Sequence, residues 1–248
     1  LGGIGLPPFA AFAVIFALFC VLCLIAMRPE WRFGGALPRM GFGPVLSDKT
    51  ARRLLIIALL NAAPVAVSST LFLFFVESRL AAPGWEGPLL LLFFLAAAVA
   101  APVWSLLAER LGAKRVLLSA MVLAIVAFGG ALTLGEGDTA LFALICLGSG
   151  AALGADLTLL PAVFARRMAH IAPNASEGFA LWSFVSKFTL AFAAVALLPL
   201  LEMQGFRSGG DNTEAALWTL SLLYAGVPCV LKVLAIAMLA VTTIKEEA

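Results

Sequence analysis

GSGAALGADLTLLPAVFARRMAHIAPNASEGFALWSFVSKFTLAFAAVALLPLL, running from Gly148 to Leu201, decides how the whole chain is read. It divides into an apolar run carrying Asp156, a basic turn with Arg166, Arg167 and His170, and a second apolar run carrying Lys187. Apolar runs of this length are membrane-spanning helices, and an ionised group at the middle of one costs at least about 2.5 kcal/mol. Asp156 lies ten positions before Arg166, and Lys187 lies nine after Gly178. At about 1.5 Å per residue, both fall roughly 14–15 Å from one membrane face, near the middle of a core about 30 Å thick. Matching depth predicts that the two meet and compensate each other.

The rest of the 248 residues agrees with that reading. Hydrophobic residues make up 63% and charged residues 12%, with mean hydropathy +1.09. A soluble domain is nearer half apolar and a quarter charged, so this is an integral membrane protein, all α-helical. The low-polarity runs lack the alternation of a barrel strand. Seven spanning segments are predicted, at about 7–27, 54–76, 88–108, 116–134, 139–165, 179–201 and 216–243. The chain opens without an initiator Met or a basic n-region, as if cut from something longer.

Lys and Arg set the orientation. Twelve lie in the loops after segments one, three, five and seven, among them Arg28, Arg32, Arg39, Lys49, Arg52, Arg53 and Lys245, against Arg79 and Arg207 in the opposite loops. The positive-inside bias places the basic loops and the C-terminus in the cytoplasm. The longest connection, Arg28 to Arg53, has a Gly/Pro-rich middle and reads as a linker between two halves of a larger protein. The predicted organisation is 1–27 as the last helix of an N-terminal half, 28–53 as a cytoplasmic linker, and 54–248 as a six-helix C-terminal half.

Several polar features sit inside the segments. Segment two carries Asn61, Pro64 and Ser68, and Pro64 predicts a kink. Asn61 and Ser68 share a face, either as interhelical hydrogen-bonding groups or as a stripe lining an aqueous path. Segment five has Gly148, Gly150 and Gly154 ahead of Asp156 and Pro161, a pattern of close packing and irregular helix. In segment six, Ser183 and Lys187 share a face, flanked by Trp182 and Ser186. Asn174-Ala175-Ser176-Glu177 is a capping pattern before that segment and also a glycosylation sequon, which a cytoplasmic placement would leave unused. Lys232 in segment seven has no evident partner. Cys20-x-x-Cys23 lacks a second pair for zinc, and His170 is the only histidine, so a metal site or cofactor is not expected. With no serine–histidine pair or aspartate dyad in the membrane, an enzyme is not expected either, and nothing points to nucleic acid.

Segment three ends in Ser105-Leu106-Leu107-Ala108-Glu109-Arg110-Leu111-Gly112-Ala113-Lys114-Arg115. Gly112 fits a helix stop, and Glu109, at a helix C-terminus, needs a cationic or N-terminal partner. The stretch resembles the short gating turn of the major facilitator superfamily, with Glu109 as its acid, Arg110 as the following base, Gly112 as its glycine and Lys114 and Arg115 as its basic pair. Ser105 replaces the first glycine. Gly154-Ala155-Asp156-Leu157, Glu177-Gly178, Phe184-x-x-Lys187 and Gly205-Phe206 look like the glycoside–pentoside–hexuronide:cation symporters, the melibiose-permease branch of that superfamily.

The resemblance implies helices six to twelve of a twelve-helix secondary transporter. Its expected partners are the lipid bilayer, a sugar or related small solute, a coupling cation (Na+ or H+), and the missing N-terminal half of the same polypeptide. In that family a lysine of helix eleven lies beside the sugar and cation sites, and Lys187 matches it. Ser183 falls where the family often has a hydroxyl facing the sugar. The implied solute-site residues are Asp156, Lys187, Ser183, Trp182 and Asn61. The chain departs from the family at the helix-ten turn, where Arg166 and Arg167 stand near expected acids. An amphiphilic substrate, or a non-transporting interaction protein, are the alternatives.

Overall fold

The computed structural model describes residues 8–28, 41–171 and 177–244. The sequon and capping residues 174–176, residues 29–40 of the linker and Lys245 lie outside these residues. The chain divides into two units, Leu1–Pro38 and Arg39–Ala248. The first contains α1 (Pro8–Met27), a wholly apolar helix.

The second unit holds α2 (Gly43–Ser47), α3 (Lys49–Phe74), α4 (Glu86–Leu111), α5 (Ala113–Gly130), α6 (Thr139–Ile171), α7 (Glu177–Met203), α8 (Glu214–Ser221) and α9 (Val227–Ala240). Wide π-type turns extend α3 through Phe75–Arg79 and join α8 to α9 through Leu222–Gly226. Six helical stretches are long and apolar enough to cross a membrane: Lys49–Arg79, Glu86–Leu111, Ala113–Thr133, Thr139–Ile171, Glu177–Met203 and Glu214–Ala240. With the shorter apolar α1 they match the seven predicted segments one for one, and no strand occurs among the described residues.

Two boundaries differ from the sequence reading. The helix of segment two starts at Lys49 rather than 54, because the Asp48 carboxylate caps it by accepting the Ala51 N–H at 2.7 Å. Segment five runs to Ile171, so Arg166, Arg167 and His170 lie on the last turns of α6 rather than in a turn. Long basic side chains reach the aqueous boundary from a helix without ending it. Pro64 lies inside a helix that carries on past it, and a second proline stands beside an irregular turn. Helix α3 stays continuous through Pro64, and the irregular turn before α9 ends just ahead of Pro228, which cannot donate its i−4 hydrogen bond.

Helix α6 is the pivot of the second unit. It packs against α4 and α5, while α3 packs against α7 and α9. A Cβ at Gly150 would stand 2.2 Å from the Phe93 carbonyl oxygen, and one at Gly154 would stand 2.5 Å from that of Ala97. These two glycines let the α6 backbone touch α4. Trp104 of α4 fastens the contact by donating its indole N–H to the Ala151 carbonyl at 2.7 Å. Two apolar cores result. One gathers Phe72, Phe75, Phe142 and Tyr224, with Phe75 and Tyr224 stacked at 4.2 Å across the two irregular turns. The other gathers Leu54, Ile57, Leu117, Met121 and Phe164 toward the basic helix ends. Asn61, Asp156 and Lys232 belong to neither and form a buried polar layer.

Candidate functional site: a buried charge pair with an amide

One residue from each of three helices builds this layer. Asn61 comes from α3, Asp156 from α6 and Lys232 from α9, and they are 5%, 7% and 4% exposed. Lys232 donates from its ammonium to Asp156 Oδ2, forming a salt bridge, and to Asn61 Oδ1 at 2.5 Å. Asp156 Oδ1 is buried and has no hydrogen-bond partner among the described residues. Removing a charged oxygen from water without a partner is costly, so this oxygen calls for a donor from the space beside it.

Beside the pair lies a cavity lined by Asp156, Lys232, Ser68, Ser149, Phe93 and Phe128, among others. About 40 Å³ of it is open to the centres of water molecules. A water needs roughly 10–15 Å³ by that measure, so about three or four fit. The Ser68 hydroxyl donates to Val65 O at 3.2 Å and the Ser149 hydroxyl to Ile145 O at 2.6 Å. Their lone pairs remain available as acceptors.

The predicted Asp156–Lys187 pair does not form. Asp156 lies on the buried side of α6, with α3 and α9 supplying its neighbours, whereas Lys187 is exposed on α7. The start of α7 meets the basic end of α6, where a Cβ on Gly178 would come within 2.4 Å of Met168 Sδ and Trp182 packs on Phe164 at 5.0 Å. Of the five expected solute-site residues, the structure brings Asn61 and Asp156 together. Trp182 is half-buried in the basic-end core, and Ser183 and Lys187 are exposed. Sequence reasoning left Lys232 without a partner. It lies twelve positions before Ile244. At about 1.5 Å per residue that is roughly 18 Å deep, so depth alone did not separate it from Lys187.

The turn from Glu109 to Arg115 forms as expected at its glycine. Gly112 ends α4 at φ +89°, in the region that favours glycine. Lys114 ties the start of α5 to the end of α9 by donating to the Ala240 and Thr242 carbonyls, both at 2.8 Å. Arg110 and Arg115 are exposed. So is Glu109, which forms no ion pair among the described residues.

Arg167 forms a salt bridge with Asp48, donating from its Nε at 2.9 Å and from a second guanidinium nitrogen. That hydrogen bonding holds the Asp48 carboxyl below its ordinary value of 3.8, assisted by the Ala51 N–H and opposed by desolvation. Lys49, Arg53, Arg166, Arg167 and His170 rim a wide cleft of about 890 Å³ at this end.

A bundle of apolar helices that keeps a lysine, a carboxylate and an amide in its middle is built like a membrane transporter. The family model described as MFS/sugar transport protein matches residues 7–246. The chain belongs to this family. As a member of the major facilitator superfamily it is an integral membrane protein of the transporter class, with the helical fold described above. No curated protein matches the chain.

Proposed function

We propose that this major facilitator chain is the C-terminal six-helix half, with the preceding helix and linker, of a secondary transporter that moves a sugar or related small polar solute by cation-coupled alternating access. Its basic helix ends face the cytoplasm of a plasma membrane, as the charge asymmetry of its loops favours. The single observation that carries the coupling is the Asp156–Lys232–Asn61 layer with its open carboxylate oxygen. A buried ion pair contributes little net stability, so a pair kept in the middle of a membrane bundle calls for another use.

Size separates the ion from the solute. Solute pockets usually measure about 300–1,000 Å³. The cavity at Asp156, at about 40 Å³, holds waters or an ion and not a sugar. The solute instead meets the exposed face of α7, where Ser183 and Lys187 offer hydroxyl and ammonium groups to the other half of the transporter, with Trp182 beside them. The Glu109–Arg115 turn serves as the gate, with Lys114 holding α5 to α9. A second reading draws on one observation. Phe184, Phe188 and Phe192 form an exposed stacked column next to Lys187, with ring centres 5.7 and 6.1 Å apart. An amphiphile with an anionic head and an apolar tail fits that face.

Uptake of a panel of radiolabelled mono- and disaccharides and lysolipids by the full-length protein in liposomes tests this. Accumulation against a gradient, abolished by an ionophore and by Asp156→Ala, supports coupled transport. Lysolipid movement without sugar movement selects the amphiphile. No movement of any probe by well-folded protein leaves an interaction protein.

A further inference from the structure

The wide cleft at the basic helix ends serves neither the buried charged layer nor the α7 face. Its walls are the first turns of α3 (Lys49, Arg53), the last turns of α6 (Arg166, Arg167, His170) and the residues after α9, with Thr242 among them. Asp48 already holds Arg167. Lys49, Arg53, Arg166 and His170 form no ion pair among the described residues, and no described carboxylate lines the cleft. Lys49 and Arg53 stand four residues apart on α3, and Arg166 and His170 four apart on α6. Residues so spaced share a helix face, and like charges there repel.

Basic loops set topology wherever their charges lie. Topology does not require two helices to turn their cations into one cleft. The end of α6 is also where a helix dipole favours cations, but the start of α3 is where it disfavours them. Lys49 opens α3, with Arg52 and Arg53 close behind and no acid in the first turn, and the capping Asp48 is shared with Arg167. Lys49, Arg53 and Arg166 are thus left without a counter-charge among the described residues.

We propose that this cleft is a binding site for a phosphate-bearing anion, supplied by an acidic lipid headgroup or by a soluble phosphate compound. Such a site exists whether or not the chain moves a solute. The guanidinium groups of Arg53 and Arg166 donate paired N–H groups to phosphate oxygens. Lys49 adds an ammonium, His170 a ring N–H, and the start of α3 the positive end of its dipole. The volume, about 890 Å³, lies within the usual range of small-molecule sites, about 300–1,000 Å³. Leu54, Val163 and Ile244 add apolar surface. That suits a headgroup whose acyl chains stay in the bilayer, and basic pockets between spanning helices take such headgroups.

The test uses the full-length protein in phosphatidylcholine nanodiscs, with inorganic pyrophosphate replacing chloride at constant ionic strength. The melting temperature of wild type should rise saturably with pyrophosphate. Arg53→Gln and Arg166→Gln should each raise the half-saturating concentration about tenfold or more, the usual cost of one hydrogen bond to a charged group. Arg52→Gln removes the same charge one position away, outside the cleft, and should bind as wild type does. A second arm adds phosphatidic acid to the nanodisc and counts, by native mass spectrometry, the lipid the protein keeps. Retention that needs Arg53 and Arg166 assigns the cleft to a lipid headgroup. Pyrophosphate binding with no lipid kept assigns it to a soluble phosphate compound. Glu246 and Glu247 follow Ile244 in the chain and lie outside the described residues. If pyrophosphate binds only once the chain is stopped after Ile244, the tail is the occupant and the proposal falls. It falls equally if neither probe binds, if lipid retention ignores Arg53 and Arg166, or if Arg52→Gln weakens binding as much as Arg53→Gln, which would mark a diffuse basic surface.

Discussion

Two lysines sit inside spanning helices of this chain, and the structure treats them in opposite ways. Lys232 is 4% exposed, with a carboxylate and an amide on its ammonium. Lys187 is exposed, beside a column of exposed phenylalanines, and forms no ion pair among the described residues. The difference teaches that an intramembrane charge has two meanings. A charge inside the bundle has its compensation supplied by the chain itself. A charge on the outer face of the bundle is left for something the chain does not contain. In the reading proposed above, that is the other half of the transporter and the solute.

The strongest way to break the comparison is to remove one member of the buried pair. Lys232→Met strands the Asp156 carboxylate, and Asp156→Ala strands the ammonium. Each is expected to destabilise the lipid-reconstituted protein by about 3–5 kcal/mol, the usual cost of leaving one buried charge alone. The double replacement Asp156→Asn/Lys232→Met should recover most of that loss, because no lone charge remains. Thermal unfolding of the three variants decides it. A double variant as unstable as the singles would show that packing, and not charge, dominates this layer.

The next effect tests whether α6 must be held where it is. A Cβ at Gly154 meets the Ala97 carbonyl at 2.5 Å, and one at Gly150 meets that of Phe93 at 2.2 Å. Backbone cannot swing aside as a side chain can. Gly150→Ala and Gly154→Ala should each cost about 1–3 kcal/mol by pushing α4 and α6 apart. Gly129→Ala, with open space at its Cβ, should cost far less. Melting curves for the three variants in one lipid suffice.

These glycines show how much of the molecule the sequence discloses. Seven apolar runs, the stop at Gly112 and the close approach through Gly150 and Gly154 were legible, because hydropathy, glycine conformation and helix contact are local properties. The partner of Asp156 was not. Depth along a helix can be counted from a basic end, but Lys187 and Lys232 lie at similar counts. Choosing between them needs the azimuth of each helix and the knowledge that α9, and not α7, stands beside the Asp156 face of α6. The role of Asp48 escaped for a related reason. Its partner Arg167 lies 119 residues away, and no short-range pattern links the end of a linker to the last turns of α6.

That half-exposed pair at the basic end is a smaller perturbation than either of the foregoing. Asp48→Asn should cost about 1 kcal/mol, within the range for partly solvated pairs, since water screens what burial would strengthen. The sign with pH is fixed by the direction of the Asp48 shift. A carboxyl held below its ordinary value adds stability that is complete above 3.8 and is lost as pH falls through the lower folded value. Wild type and Asp48→Asn should therefore differ at pH 7 and converge in acid below 3.8. A gap that persists at the lowest pH would assign the effect to the shape of the helix cap rather than to charge.

The smallest expected change in stability belongs to Lys187, and it separates the two lysines most sharply. An exposed side chain with no partner among the described residues should leave stability within about 0.5 kcal/mol when cut to alanine. Transport should respond in the opposite sense, with Lys187→Ala losing solute movement while keeping wild-type melting and membrane insertion. Combining Lys187→Ala with Lys232→Met sharpens this further. Sites that share no partner add within roughly 0.3–0.5 kcal/mol. Additive melting then says that the two lysines are independent in the fold, so any coupling between them in transport has to run through the solute or the moving halves. A large non-additive term would mean that Lys187 reaches the Asp156 layer in another state of the protein. Full solute uptake by Lys187→Ala would remove it from the solute face altogether and leave Asp156, Lys232 and Asn61 as the functional polar groups of this half.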